Sequence, residues 1–307
     1  MKRHGVHVAL GVRPDTTLAK SAGLEIGERG GIRVDDQMRT SNPNIFAVGD
    51  AIEVKDWVTG QWSLIPLAGP ANRQGRIAAD VIAGRDMHFR GTQGTSIIKV
   101  FDVTVAWVGV SEKQLKRIGD TDYEKIYLYP NSHAGYYPGA KPIALKVLFR
   151  KSDGRVIGAL GLGEDNVDKR ISTIAGMMQM NATVYDLEDA ELCYAPPFGS
   201  AKDPVNFAGM VAADILRGDM PLVHWDTGLG STLPAVLSRR HAPRRQQRRG
   251  GRSARALPAS IASTHRHDRR PAERRPDVSA QWTQYRHGQR EPGGAAAGHL
   301  CDDLFRG

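Results

Sequence analysis

Eleven residues, Thr40-Ser41-Asn42-Pro43-Asn44-Ile45-Phe46-Ala47-Val48-Gly49-Asp50, constrain this chain more than any other segment. The apolar run Ile45 to Val48 has the texture of a strand buried on both faces, as in a parallel sheet. Gly49-Asp50 then puts a backbone without Cβ, and a carboxylate, at the strand's carboxyl end, where open α/β sheets bind ligands. An ionised Asp only accepts hydrogen bonds, so it suits sugar-like hydroxyls and repels phosphate. Gly-Asp also ends many strands that bind nothing, and the segment alone leaves that alternative open.

The rest of the first 90 residues supports a parallel-sheet piece. Val6 to Leu10 half-alternates as a strand and is closed by Gly11-Val12-Arg13-Pro14-Asp15. Gly30 to Asp35 reads as a short strand leaving a turn. A loop with Trp57 and Trp62 at its sides leads to Pro66. From there Ile77, Ala78, Val81 and Ile82 keep helical spacing up to Gly84, which predicts a helix of about four turns starting near Pro70. Its amino end would present unpaired N–H groups and the positive end of a dipole, worth about 0.3–1 kcal/mol to a nearby anion. A Pro-capped helix packed on a sheet would look the same.

Beyond residue 95 the pattern becomes antiparallel. Ile97 to Phe101 and Val103 to Val110 are strand-like, and Ile143 to Phe149 with Arg155 to Leu162 flank the turn Lys151-Ser152-Asp153-Gly154. Ile171, Ile174, Ala175 and Met178 define one face of a helix from about Val167 to Met180. Ala208, Val211, Ala212 and Ile215 define a last helix closed by Gly218. Strands followed by helices indicate an α+β module distinct from the α/β piece before it.

The formal charge of +9 is unevenly placed. Residues 1–230 hold 26 Lys and Arg against 27 Asp and Glu, whereas residues 231–307 hold 16 Arg, no Lys and six acids. The last stretch has no sustained period and is rich in Arg, Ala, Gly and Pro. Out-of-frame translation of a GC-rich gene produces that composition and is the preferred reading. The alternative is a disordered polycationic tail binding phosphate backbones by counterion release. No apolar stretch approaches the roughly 18 residues of a membrane span, and the start does not read as a secretory signal, so no membrane partner is expected and the expected compartment is the cytoplasm. Cys193 and Cys301, far apart and without CxxC spacing, suggest neither a disulfide framework nor a metal site.

Gly11 to Asp15, then Thr40 to Asp50, then Pro66-Leu67-Ala68-Gly69-Pro70-Ala71-Asn72-Arg73-Gln74-Gly75-Arg76, in this order and at these separations, resemble the C-terminal half of the FAD-dependent pyridine nucleotide-disulfide oxidoreductases. His133 to Ala140 and Tyr194 to Asn206 resemble the coenzyme A-disulfide reductase branch. The match spans about residues 5–229. The resemblance implies that Asp50 bonds the FAD ribityl chain with Gly49 allowing the approach, and that Pro66, Leu67, Ala68 and Phe198 lie on the cofactor. It implies that Gly11, Arg13 and Pro14 end the nicotinamide side, with NAD(P)H as co-substrate. It also implies that Tyr194, with Tyr136 or Tyr137, reaches the redox centre of a partner subunit in a homodimer. A phenol donor stabilises a thiolate without becoming an acid at neutral pH. Tyrosines beside prolines also pack interfaces, and that reading stays open.

Tyr194-Ala195-Pro196-Pro197-Phe198 stands where the glutathione-reductase type of this superfamily carries a His-Glu pair, which implies single-cysteine chemistry on a small-molecule disulfide such as coenzyme A disulfide, or on a persulfide or oxygen species. Cys193 is expected to be a small buried residue and His133 a structural one. No GxGxxG cradle and no redox cysteine stand before Gly11, and Gly158 to Gly163 has the wrong order and lies in a strand. The expectation is a fragment without turnover of its own. It comprises a nicotinamide-domain remnant at 1–17, the C-terminal segment of an FAD domain at 18–92, a dimerisation domain at 93–229, and a disordered or frameshifted tail at 230–307. Two other readings remain: a catalytically inactive interaction protein with a nucleic-acid-binding tail, although the near-neutral residues 1–230 do not point to nucleic acid, and an NADH oxidase of the same superfamily.

Overall fold

The computed structural model describes residues 11–224. The expected strand Val6 to Leu10, Cys301 and the tail lie outside the described residues.

Two sheets organise residues 11–220. In the first, β1 (Ile32–Arg33) pairs parallel with β2 (Ile52–Lys55), and β2 pairs antiparallel with β3 (Trp62–Ser63). A short helix α1 (Thr17–Ser21) precedes it, and α2 (Ala68–Ile82) packs Ile77, Ala78 and Val81 with Ile52, Val54, Met38 and Phe89. Helix α2 begins two residues earlier than the spacing predicts. Pro70 is tolerated there because N–H groups in the first turn have no intrahelical acceptor to lose. Gly84, at φ +83°, closes the helix as expected.

The expected doubly buried strand at Ile45 to Val48 is not formed. Ile45, Phe46 and Ala47 are half-buried, Val48 is exposed, and the segment makes one isolated bridge, Arg39 to Phe46. Its backbone turns back on residues 38–42, with Ala47 N–H donating to Met38 O at 3.1 Å and Ile45 O accepting from Thr40 N–H at 2.9 Å. Local antiparallel contacts replace the parallel neighbours that burial on both faces requires. The tryptophan loop is shorter than expected, because Trp62 belongs to β3. Residues 56–61 close the ribbon between β2 and β3, with the Asp56 carboxylate accepting from the N–H groups of Val58 and Thr59.

The second sheet is antiparallel throughout, in the order β4 (Ser96–Val100), β5 (Val103–Gly109), β8 (Val156–Gly163), β7 (Ile143–Phe149), β6 (Glu124–Leu128). The period-2 pattern of β7 sends Ile143, Leu145, Val147 and Phe149 to one face, each fully buried. They meet Ile171 and Ile174 of α4 (Val167–Gln179) and Val205, Ala208 and Ala212 of α6 (Pro204–Arg217). Each aliphatic or aromatic side chain so buried contributes about 1.5–3 kcal/mol, so this layer is the main hydrophobic store. Strands β4, β5, β7 and β8, the hairpin at Lys151 to Gly154 and both long helices fall where the sequence puts them. In this module the sequence patterns do not announce α3 (Glu112–Ile118), which interrupts the run of strands, the strand β6, or α5 (Val184–Asp189), started by a Thr183/Asp186 capping box.

The glycines Gly158, Gly161 and Gly163 lie in β8, as expected, and serve packing. A Cβ on Gly158 would stand 2.3 Å from Val110 O, and one on Gly161 would stand 2.9 Å from Val167 Cγ1. Gly158 pairs with Gly109 at the end of the β5–β8 ladder, which lets the chain leave β5 across the neighbouring strand. Among the described residues no helix is long and apolar enough to cross a membrane.

Candidate functional site

Two clusters gather most of the residues singled out in the sequence. The first is the amino end of α2. Gly49 opens a 3₁₀ turn, Gly49–Ala51, that packs on α2, and its φ of +83° is a conformation that costs glycine little. Its N–H donates to Gln74 Oε1 at 2.8 Å, and Gln74 is almost wholly buried. Asp50 is exposed, as are Pro66 and Ala68, while Leu67 is half-buried. Leu67, the N-cap of α2, offers no side-chain cap, so the first N–H groups keep their donor capacity. Gln74 lies in the segment Pro66 to Arg76, which by itself gives this residue no role. A polar residue on the stripe Pro70, Gln74, Ile77, Ala78, Val81 was the available signal.

The second cluster joins the loop before β7 to the segment before α6. Tyr136 and Tyr194 place their phenol oxygens 3.0 Å apart. Tyr136 is 77% and Tyr194 48% exposed, so both phenols are open to a ligand or to another subunit. The hydrogen bond with Tyr136, then partial burial, holds the Tyr194 phenol above its usual range. Tyr137 takes no part in that bond and sets its ring edge-on to His133, with centroids 5.8 Å apart. His133 is buried and lies 3.2 Å through Nδ1 from Ala134 O, as its structural reading expects.

Phe198 belongs to this second segment and is 66% exposed, while its carbonyl accepts from Lys169 Nζ at 3.3 Å. Cys193 is exposed, contrary to expectation. It sits in irregular chain between α5 and α6, where the neighbouring Leu192 packs against the core in its place. Gly11 and Arg13 are exposed and Pro14 is half-buried, in irregular chain ahead of α1. Among the described residues no hydrogen bond or ion pair joins the α2 end to the tyrosine cluster.

Residues 2–75 match the family described as pyridine nucleotide-disulphide oxidoreductase, and residues 95–204 match the dimerisation domain of the same family. The chain belongs to this family. Within it, the chain is 37% identical over 204 residues to the coenzyme A disulfide reductase of Staphylococcus epidermidis, an alignment covering 66% of this chain and 46% of that protein. It is similar to the structure of reduced Bacillus anthracis CoADR-RHD, with TM-score 0.69 and 53% identity over 71% of this chain and 39% of that one. It is also similar to an NAD-dependent persulfide reductase from A. fulgidus, with TM-score 0.68 and 40% identity over 70% and 40%. The chain thus spans about half the length of the curated relatives it matches.

Proposed function

We propose that the protein is cytoplasmic and corresponds to the C-terminal half of a flavin-dependent oxidoreductase, of the kind in which NAD(P)H serves to cleave the sulfur–sulfur bond of a coenzyme A-type disulfide or persulfide. In this reading residues 18–92 form the C-terminal segment of the flavin domain and residues 93–229 the dimerisation domain, with Gly11, Arg13 and Pro14 at the end of the nicotinamide side. The overall balance for a disulfide is one NAD(P)H and one proton consumed, one NAD(P)⁺ and two thiols released.

The residues at the α2 end fit a flavin. Gly49 has no Cβ, and one added there would meet nothing closer than Ala71 Cβ at 4.0 Å, so the approach to Asp50 is open. The exposed Asp50 carboxylate would accept from ribityl hydroxyls, and the uncapped start of α2 at Leu67 and Ala68 would face the ring. FAD held there would supply the two-electron relay from NAD(P)H to sulfur.

The observation that carries the substrate class is the exposed Tyr136–Tyr194 phenol pair. One phenol orients the other, which leaves a neutral donor able to stabilise a thiolate as the sulfur–sulfur bond breaks. Phe198, exposed in the same segment, extends that surface toward the cofactor of a partner subunit in a homodimer.

The test is a titration of the 307-residue protein with coenzyme A disulfide, followed through the ¹³Cζ signals of Tyr136 and Tyr194 assigned with single Tyr→Phe variants. Saturable shifts of both signals, lost in Tyr194→Phe, support the reading. No shift at millimolar disulfide removes the disulfide class. It leaves the oxidase reading, which predicts NADH consumption that tracks dissolved oxygen, or the interaction reading, which predicts a dimer that responds to neither.

A further inference from the structure

Tyr136 and Tyr194 stand on two segments without regular secondary structure, so their meeting has to be enforced from outside the segments. The enforcing contact is traceable. Arg170, in the first turns of α4, donates through Nη2 to Asp203 Oδ2 at 2.8 Å and through Nε to Oδ1 at 3.3 Å. The side chains are 1% and 4% exposed. Asp203 Oδ1 also accepts from Val205 N–H at 3.1 Å, which makes the same carboxylate the N-cap of α6.

Gly199 lies beside this pair, four residues before Asp203 in the chain. A Cβ there would stand 3.5 Å from Asp203 Oδ2 and 3.7 Å from Arg170 Nη2. Its N–H donates to Ala195 O at 3.1 Å, one residue from Tyr194, and its carbonyl accepts from Ala134 N–H at 2.8 Å. The Ala134 carbonyl in turn accepts from Tyr137 N–H at 2.9 Å, closing the turn that carries Tyr136. Each phenol is therefore one hydrogen bond and one or two residues of backbone away from Gly199.

We propose that Arg170 and Asp203 are positioning residues of the tyrosine pair: their buried ion pair clamps Gly199, and through it holds the two loops in the register that joins Tyr136 to Tyr194. Any effect of the clamp on catalysis rests on the disulfide reading above, while the clamp itself does not. A buried ion pair repays its desolvation only with near-ideal geometry and adds little to stability, which suits a device that sets alignment. Ile171, Ile174, Val205, Ala208 and Ala212 hold α4 and α6 on the sheet without it.

Two variants of the full chain test this without any ligand. Asp203→Asn keeps an acceptor for Val205 N–H and removes the charge. Arg170→Met combined with Asp203→Ser removes both charges and keeps a capping hydroxyl. In both, the ¹³Cζ titration of Tyr194 moves down to that of an ordinary phenol, adding Tyr136→Phe produces no further shift, and the signals of Tyr127 and Tyr185 stay in place. An unchanged Tyr194 titration in both variants overturns the proposal. So does global unfolding of both, because the pair would then be a core staple and not a local clamp. The coenzyme A disulfide titration can fail while this experiment succeeds, and the reverse, so the two failures are distinguishable.

Discussion

The phenol oxygens of Tyr136 and Tyr194 lie 3.0 Å apart although 58 residues separate them in the chain. Neither tyrosine has a helix or strand of its own. The contact belongs to the packing of two loops at one end of the dimerisation domain, and it gives an exposed phenol a property that exposure alone would not.

Tyr136→Phe will lower the pH at which Tyr194 ionises. The hydrogen bond with Tyr136, then partial burial, holds the Tyr194 phenol above its ordinary range, so removing that partner returns it toward about 10, the ordinary phenol value. The ¹³Cζ signal of Tyr194 between pH 8 and 12 reads the midpoint. A midpoint that does not fall contradicts the assignment of the bond.

Gln74→Ala will free the turn at Gly49. The amide of Gly49 loses its acceptor in a partly buried site, at a cost of about 1–3 kcal/mol. Thermal melting reads the loss, and amide hydrogen exchange localises it, with Gly49 exchanging faster while β7 stays protected. Equal protection of Gly49 in both proteins would show that the bond does not hold the turn.

Two glycine substitutions will act in opposite directions. Gly158→Ala drives a Cβ to 2.3 Å from the Val110 carbonyl, and overpacking of this kind costs about 1–3 kcal/mol. Gly176→Ala, on α4 with nothing within 4 Å of the new Cβ, gains about 0.5–1 kcal/mol from backbone entropy. Chemical denaturation of the two variants should bracket the parent, and a stabilised Gly158→Ala would refute the close crossing at the end of β5.

Glu112 will govern the acid limb of stability in the second sheet. Burial pushes its carboxyl up, but hydrogen bonds from Lys125 at 2.8 Å and Lys146 at 2.6 Å outweigh that and hold it below the usual carboxylate range. Because the folded value is depressed, the stabilisation is complete above the unfolded carboxyl's range near pH 4–5 and is lost as pH falls through the folded value. Glu112→Gln removes this dependence and costs about 1–3 kcal/mol at neutral pH, since two buried ammonium groups each lose a charge-assisted hydrogen bond to its carboxylate. Urea denaturation from pH 2 to 7 compares the two, and parallel curves would be the contrary result.

Legibility followed the range of the interactions. The strands on either side of Phe101, the hairpin at Lys151 to Gly154 and the helices α2, α4 and α6 are legible because period and turn residues are local properties. The run Ile45 to Val48 was misread because its burial depends on which backbone lies beside it, and its hydrogen bonds go to residues 38–42. Cys193 was misread for a related reason: composition makes cysteine a core residue, whereas the path between α5 and α6 leaves this one at the surface. Strand β6, with Lys125 buried against Glu112, escaped a reading by hydropathy because its buried lysine looks like a surface residue until its counter-charge is in view.

The sequence by itself determined the family, the two textures of the chain before residue 220, and the membership of Asp50, Leu67, Tyr136 and Tyr194 in recognisable segments. Only the tertiary structure decided which tyrosine of the Tyr136-Tyr137 pair meets Tyr194, what anchors Gly49, and what Arg170 and Asp203 hold together. Those contacts join residues 25 to 58 positions apart. Chain periodicity carries no information at that separation, and a hydrogen bond reaching about 3 Å exists only once packing has brought both ends into place.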